Sequence, residues 1–188
     1  VNAVNLRLHC PLPKGVASDP RAPCAGDGLF LSFTERPFFA NNQERRMQDF
    51  TDKVAVISGG VNGIGFDIAK ALAAEKCHVV IADLDQEACD TAAAEIAAMG
   101  VSAIGRKCDV TQEIDIKELA DAAWAEFGHV DLLFNNAGVG AGLVSSPKMD
   151  DADLRWIFEV NFFGNWNMCM EFLRRFKDQD SEAHICNT

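Results

Sequence analysis

From Lys53 onward the apolar residues fall into two alternating rhythms. Short, nearly unbroken runs, too brief for a helix, occupy Val54–Ile57, Cys77–Ala82, Val101–Lys107, Val130–Phe134 and Ala183–Cys186, and read as strands. Between them lie alanine-rich stretches with helical spacing. One covers Ile64–Lys76 and a second covers Gln86–Met99, stopping at Gly100. A third starts from a cap at Thr111 and runs to Phe127, with Gly128 ending it. A longer helix rich in Trp and Phe is expected from Asp151 to Lys177. Strands that alternate with helices predict an α/β domain: a doubly wound parallel sheet, here of about five strands, with helices on both faces. The strands are continuous apolar runs rather than alternating ones, as strands buried on both sides are.

The first strand breaks at Ser58-Gly59-Gly60, and the helix resumes at Gly63-Ile64-Gly65. A helix that starts directly after a glycine turn points free backbone N–H groups at whatever lies above it. Glycines there let a ligand's oxygens approach the backbone without meeting a Cβ atom, which suits a pyrophosphate. In such a sheet the ligand crevice lies beyond the carboxyl ends of the strands, so further contacts belong just after each strand. Asp83 follows the second strand, Asp109 and Val110 the third, and Asn135-Asn136-Ala137-Gly138 the fourth. A carboxylate at position 83 accepts hydrogen bonds from the ribose hydroxyls of NAD and repels the extra phosphate of NADP. Position 62 in the turn is Asn rather than Lys or Arg, so NAD is preferred. The competing reading is that Asp83 and Asp85 only cap the following helix.

Composition separates the two ends of the chain. Residues 1–46 hold five of the six prolines, show no useful periodicity, and carry six Lys and Arg against four Asp and Glu. They read as a disordered leader ahead of a native start at Met47, with a docking arm built on Leu29-Phe30-Leu31, Phe33 and Phe38-Phe39 as the alternative. Residues 47–188 then form one nucleotide-binding domain. The net charge of −11 disfavours nucleic acid or an anionic membrane as the main partner. No apolar run reaches the ~18 residues of a membrane span, no signal peptide is evident, and a cytoplasmic protein is expected. The seven cysteines show no C-x-x-C spacing, so no metal site is expected and several read as small buried hydrophobes.

Taken together, these motifs resemble those of the classical short-chain dehydrogenase/reductases, whose fold is of the Rossmann type. Ser58-Gly59-Gly60-Val61-Asn62-Gly63-Ile64-Gly65 is similar to that family's T-G-x-x-x-G-I-G turn, with Ser for Thr. Asp109-Val110 looks like the pair that contacts adenine, and Asn135 to Gly138 looks like the N-N-A-G that steadies the sheet and lines the cofactor site. Asn161 looks like the asparagine whose helix kink holds a proton-relay water. The resemblance covers residues 50–188 and implies hydride transfer between nicotinamide and a secondary alcohol or ketone. In the family a tyrosine is the acid–base group, aided by a lysine four residues on and by a serine. This chain has no tyrosine, and it stops at Thr188 where the strand leading to the catalytic serine is expected. Only Asn161 is carried over as a catalytic residue, and these residues alone are expected to be inactive.

Three readings stay open: the cofactor-binding portion of an oxidoreductase, a non-catalytic dinucleotide-binding module, and a truncated product that folds poorly because an apolar strand edge is left bare. The segment 139–149 is expected to border a small alcohol or ketone substrate. The stripe Trp156, Phe158, Phe162, Phe163, Trp166 and Phe172 reads either as core alone or as core plus a helix-to-helix contact in a homodimer or homotetramer.

Overall fold

The structure is a computed structural model that describes residues 49–140 and 150–188. The leader assigned to residues 1–46 and most of the substrate-bordering segment therefore lie outside the described residues. Five strands form one parallel sheet in the order β3-β2-β1-β4-β5. They are β1 (Val54–Ser58), β2 (His78–Asp83), β3 (Ala103–Lys107), β4 (Leu132–Asn135) and β5 (His184–Asn187). The crossovers are α1 (Gly63–Ala74), α2 (Gln86–Ala97) and α3 (Glu113–Phe127). Between β4 and β5 run α4 (Asp151–Phe158), a π-helical turn (Glu159–Gly164) and α5 (Asn165–Phe176). The strand order reverses between β1 and β4, and a crevice opens there at the strands' carboxyl ends.

All five residues of β1 are buried, as its central place requires. Along it side chains alternate between faces. Val54 and Val56 join Val80 and Leu133 in a core completed by Leu119, Ala123, Met168 and Phe172 from α3 and α5. A side chain the size of Phe172, fully buried here, contributes about 1.5–3 kcal/mol. By contrast, β3 ends with Arg106 and Lys107 exposed, two charges on a sheet edge.

Several boundaries differ from the sequence expectation for local reasons. Helix α1 ends at Ala74 rather than Lys76 because Lys76 turns into the left-handed region (φ 68°) and the Cys77 N–H returns to Leu72 O at 3.0 Å, so β2 begins at His78. Thr111 does not cap α3. Its N–H and hydroxyl both donate to Asp109 Oδ1, at 2.9 and 2.8 Å, and Gln112 stands at the cap position without a side-chain bond to the helix backbone. Gly128 does end α3, at φ 77°. The single helix expected over residues 151–177 is interrupted by the π turn.

Candidate functional site

The crevice is held open by a lock between the turns after β1 and β4. The Ser58 hydroxyl, buried at the end of β1, accepts hydrogen bonds from the N–H groups of Asn136 and Ala137, both at 3.1 Å. Asn136 Nδ2 in turn donates to Gly59 O at 2.9 Å. Close approach explains the glycines. Gly59 has φ 63°, and a Cβ there would lie 2.9 Å from Ala137 Cα. A Cβ on Gly65 would collide with Gly59 O and stand 2.6 Å from Asn136 Nδ2.

The start of α1 faces this crevice unprotected by its own side chains. Asn62 at the cap position makes no side-chain cap bond, and the first turn carries no acidic residue. In α2, by comparison, Asp85 accepts from the Ala88 N–H at 3.0 Å, and Glu87 stands in the first turn. The N–H groups opening α1 are thus left for an anion, with a helix dipole behind them. A pyrophosphate-bearing dinucleotide fits this donor set and the backbone cradle that glycine keeps clear.

Asp83, last in β2, divides the two readings of the acidic pair. Asp85 is the α2 cap and Asp83 is not. The Asp83 carboxylate accepts from the Leu84 N–H at 2.8 Å and, weakly, from the Val61 N–H at 3.5 Å, which fixes it on the crevice rim. At the end of β3 the Asp109 N–H donates to Asp115 Oδ2 at 3.0 Å, and Asp109 Oδ1 is taken by Thr111, so the loop is tied to α3.

Of the residues singled out from the sequence, Gly59, Asn62, Ile64, Asp83, Asp109, Val110, Asn136, Ala137 and Gly138 line one cavity of about 580 Å³. Ser58, Gly63, Gly65 and Asn135 do not line it. Ser58 braces the lock from below, Gly63 and Gly65 shape the start of α1, and Asn135 points into the protein. Asn135 Nδ2 donates to Asn187 Oδ1 at 2.8 Å and to Cys169 Sγ at 3.2 Å, tying β4 to β5 and α5. Asn161 sits in the π turn. Its side chain pairs with both backbone groups of Val139, accepting from the N–H at 2.8 Å and donating to the carbonyl at 2.9 Å. Its own carbonyl accepts from Asn165 Nδ2 at 2.9 Å.

A family model described as short chain dehydrogenase matches residues 53–188. The chain belongs to the short-chain dehydrogenase family. It is 36% identical over 141 residues to the C alpha-dehydrogenase of Sphingobium sp. (strain NBRC 103272 / SYK-6), covering 74% of this chain and 46% of that protein. It is 37% identical over 119 residues to the 7alpha-hydroxysteroid dehydrogenase of Escherichia coli (strain K12), covering 62% of this chain and 45% of that one. Among solved structures, a short chain dehydrogenase/reductase from Burkholderia phymatum in complex with NAD superposes with a TM-score of 0.70 at 38% identity, over 75% of this chain and 50% of that one. The chain spans about half the length of the curated relatives it matches.

The crevice of this short-chain dehydrogenase chain also takes in residues that sequence reasoning did not assign to the cofactor: Leu84, Cys108, Thr111, Trp156 and Val160, together with Val139, which was expected on the substrate side. Leu84, Thr111 and Val139 directly follow residues that were singled out, and adjacency was the available signal. Trp156 carried the opposite signal, because it belongs to an aromatic stripe at helical spacing. The stripe splits: Phe172 is buried, whereas Trp156, Phe158, Phe162, Phe163 and Trp166 are each about half exposed. The Cys108 thiol is pushed up to about 12 by burial and by the Asp115 and Asp109 charges, so it is a neutral part of the wall.

Proposed function

We propose that residues 47–188 are the cofactor-binding part of an NAD-dependent oxidoreductase. The lock between the two turns carries this reading: Ser58 and Asn136 hold the glycine turn against β4, and the uncapped start of α1 then opens on the crevice. Asn62, Gly63, Ile64 and Gly65 present backbone to the pyrophosphate, while Asp83 accepts from the adenosine ribose. Asp109 and Val110 border the base, Asn136, Ala137 and Gly138 support the middle of the cofactor, and Asn135 braces them from inside the sheet. When bound, the nicotinamide supplies the hydride acceptor or donor for a secondary alcohol and ketone pair. Asn161 acts as a positioning and relay element. Its side chain holds Val139, and its carbonyl, which accepts from Asn165 Nδ2, would also hold the relay water.

The 188 residues contain no tyrosine, and general acid–base catalysis typically contributes about 10²–10⁴-fold. This chain alone therefore gives no measurable turnover. Steady NADH formation from a secondary alcohol, in proportion to chain concentration, would refute that. The partner is a small-molecule alcohol or ketone rather than nucleic acid or membrane, which a net charge of −11 supports. Among the described residues no helix is long and apolar enough to cross a membrane. The five cysteines of the described residues are free thiols, which fits a reducing, cytoplasmic setting. The half-exposed Phe158, Phe162, Phe163 and Trp166 offer a face for a second copy of the chain, giving a homo-oligomer.

Calorimetric titration of the chain with NAD and NADP tests the reading. NAD binds more tightly, and Asp83→Ala weakens NAD by about tenfold or more while NADP loses less, since a charge-assisted bond contributes about 1.5–3 kcal/mol. Equal losses for the two cofactors would remove Asp83 as the discriminator, and no heat with either would remove the proposal.

A further inference from the structure

Trp156 is half exposed, and no ring of the described residues stacks on it, yet it lines the same crevice as Gly59 and Asp83. The other two tryptophans are elsewhere. Trp124 packs on Phe172 and Phe176, with ring centroids at 5.6 and 5.9 Å, and Trp166 lines a separate groove with Ile114 and Lys117. An indole held in a concave site with no partner is a flat surface of high contact area that costs little conformational entropy to order.

The helix geometry says which end of the crevice it serves. Gly164 packs directly against the β3–α3 loop, since a Cβ there would lie 2.7 Å from Val110 Cγ2. Val160 lies on the same side, and it lines the crevice with Val110 and Thr111. Trp156 stands one turn before Val160, at the i, i+4 spacing that puts two residues on one helix face. That face is the one turned toward Val110. That places the indole on the Val110 side of the crevice that it shares with Asp83 and Asp109.

We propose that Trp156 is a base platform: its indole stacks on the adenine ring of the bound dinucleotide and closes the adenosine end of the crevice. This rests on the dinucleotide reading given above and adds to it a contact from α4. Stacking accepts any flat base and acts independently of the carboxylate that reads the ribose, so it sets affinity while Asp83 sets the choice of cofactor.

The test uses the 188-residue chain, its Trp156→Phe, Trp156→Ala and Trp166→Phe variants, and tryptophan emission excited at the red edge, with calorimetry on the same samples. AMP and NAD should quench emission in the parent and in Trp166→Phe, and leave Trp156→Phe unchanged. Nicotinamide mononucleotide should quench none of them. NAD affinity should fall by about tenfold in Trp156→Ala, the equivalent of about 1.4 kcal/mol, and by less in Trp156→Phe, which keeps a flat ring. If Trp156→Ala does not fold, the quench in the parent and its loss in Trp156→Phe still decide the matter. AMP that binds with heat but without quench, or NAD that binds Trp156→Ala as tightly as the parent, overturns the platform and leaves the dinucleotide reading standing. Quenching by the mononucleotide in place of AMP puts the indole at the wrong end and overturns it too. If neither NAD nor AMP binds the parent, both proposals fall.

Discussion

Removing the Asp131 carboxylate should unfasten the sheet at the end opposite the crevice. Asp131 sits just before β4, fully buried, and gathers two donors and an imidazole nitrogen from two neighbouring segments. Lys53 Nζ reaches Oδ1 at 3.1 Å, the Val54 N–H donates to Oδ2 at 3.0 Å, and His129 Nε2 lies 3.1 Å from Oδ2. In Asp131→Ala the Val54 N–H, at the first residue of a fully buried strand, is left without an acceptor, which costs about 1–3 kcal/mol. Lys53 is 32% and His129 39% exposed, so water takes over most of their share, and each loss adds at most about 1 kcal/mol. The expected total is about 2–4 kcal/mol, a large part of the ~5–15 kcal/mol that holds a domain folded. Urea unfolding followed by far-ultraviolet circular dichroism reads it directly. With a slope of about 1–3 kcal/mol per molar, the midpoint falls by roughly 1–2 M while the slope stays the same. Asp131→Asn keeps one acceptor oxygen and should lose about half as much. Lys53→Met should lose under about 1 kcal/mol, because it leaves the Val54 bond in place. A loss for Lys53→Met equal to that for Asp131→Ala would refute the reasoning, since the buried amide and not the exposed ammonium is held to dominate.

Gly65→Ala places a methyl against Gly59 O and Asn136 Nδ2, so the lock must open: NAD binding should weaken by at least about tenfold, and calorimetry that finds parental affinity would contradict it. The buried thiols make stability depend on alkaline pH. Burial pushes Cys77 and Cys108 up to about 12 from an ordinary 9.0, so the unfolded chain releases protons that the folded chain keeps. Their contribution is complete below pH 9 and is lost as pH rises from 9 toward 12, so Tm should fall across that window. The fall should be shallower in a Cys77→Ala, Cys108→Ala double variant, and an unchanged slope would rule the thiols out as its source.

The order of strands and helices was readable because β1, β2 and β4 are short, nearly unbroken apolar runs and glycines mark most turns between the elements. The boundaries were less so, since they depend on bonds that no pattern encodes: Lys76 in the left-handed region, or the Asp109 side chain capturing the Thr111 N–H before it can begin a helix. Within the site, the turn residues that face the crevice were readable one by one, but their ranking by depth was not. Asn135 and Asn136 are neighbours of one type, and strand alternation sends the first into the protein and the second to the crevice. Asp131 did leave a signal, a lone carboxylate inside the run Val130–Phe134, where an unpaired charge would be costly.

The π turn joins these observations. A uniform α-helix over residues 151–177 would satisfy the same apolar spacing, so nothing in the pattern announces the interruption. Only the hydrogen bonds explain its value. Widening the helix at Glu159–Gly164 sends the Asn165 N–H to Phe162 O, while the Asn165 side chain bonds to the Asn161 carbonyl. The Asn161 amide meets Val139 like a strand partner, fastening the loop after β4 to the helix. The β1–β4 pair is thus fixed at its base by Asp131 and at its top by Ser58 and Asn136, and the loop beyond β4 is fixed by Asn161. A crevice held this rigidly loses little freedom when a ligand enters, which is how a shallow site lined by few charged groups can still bind a large dinucleotide.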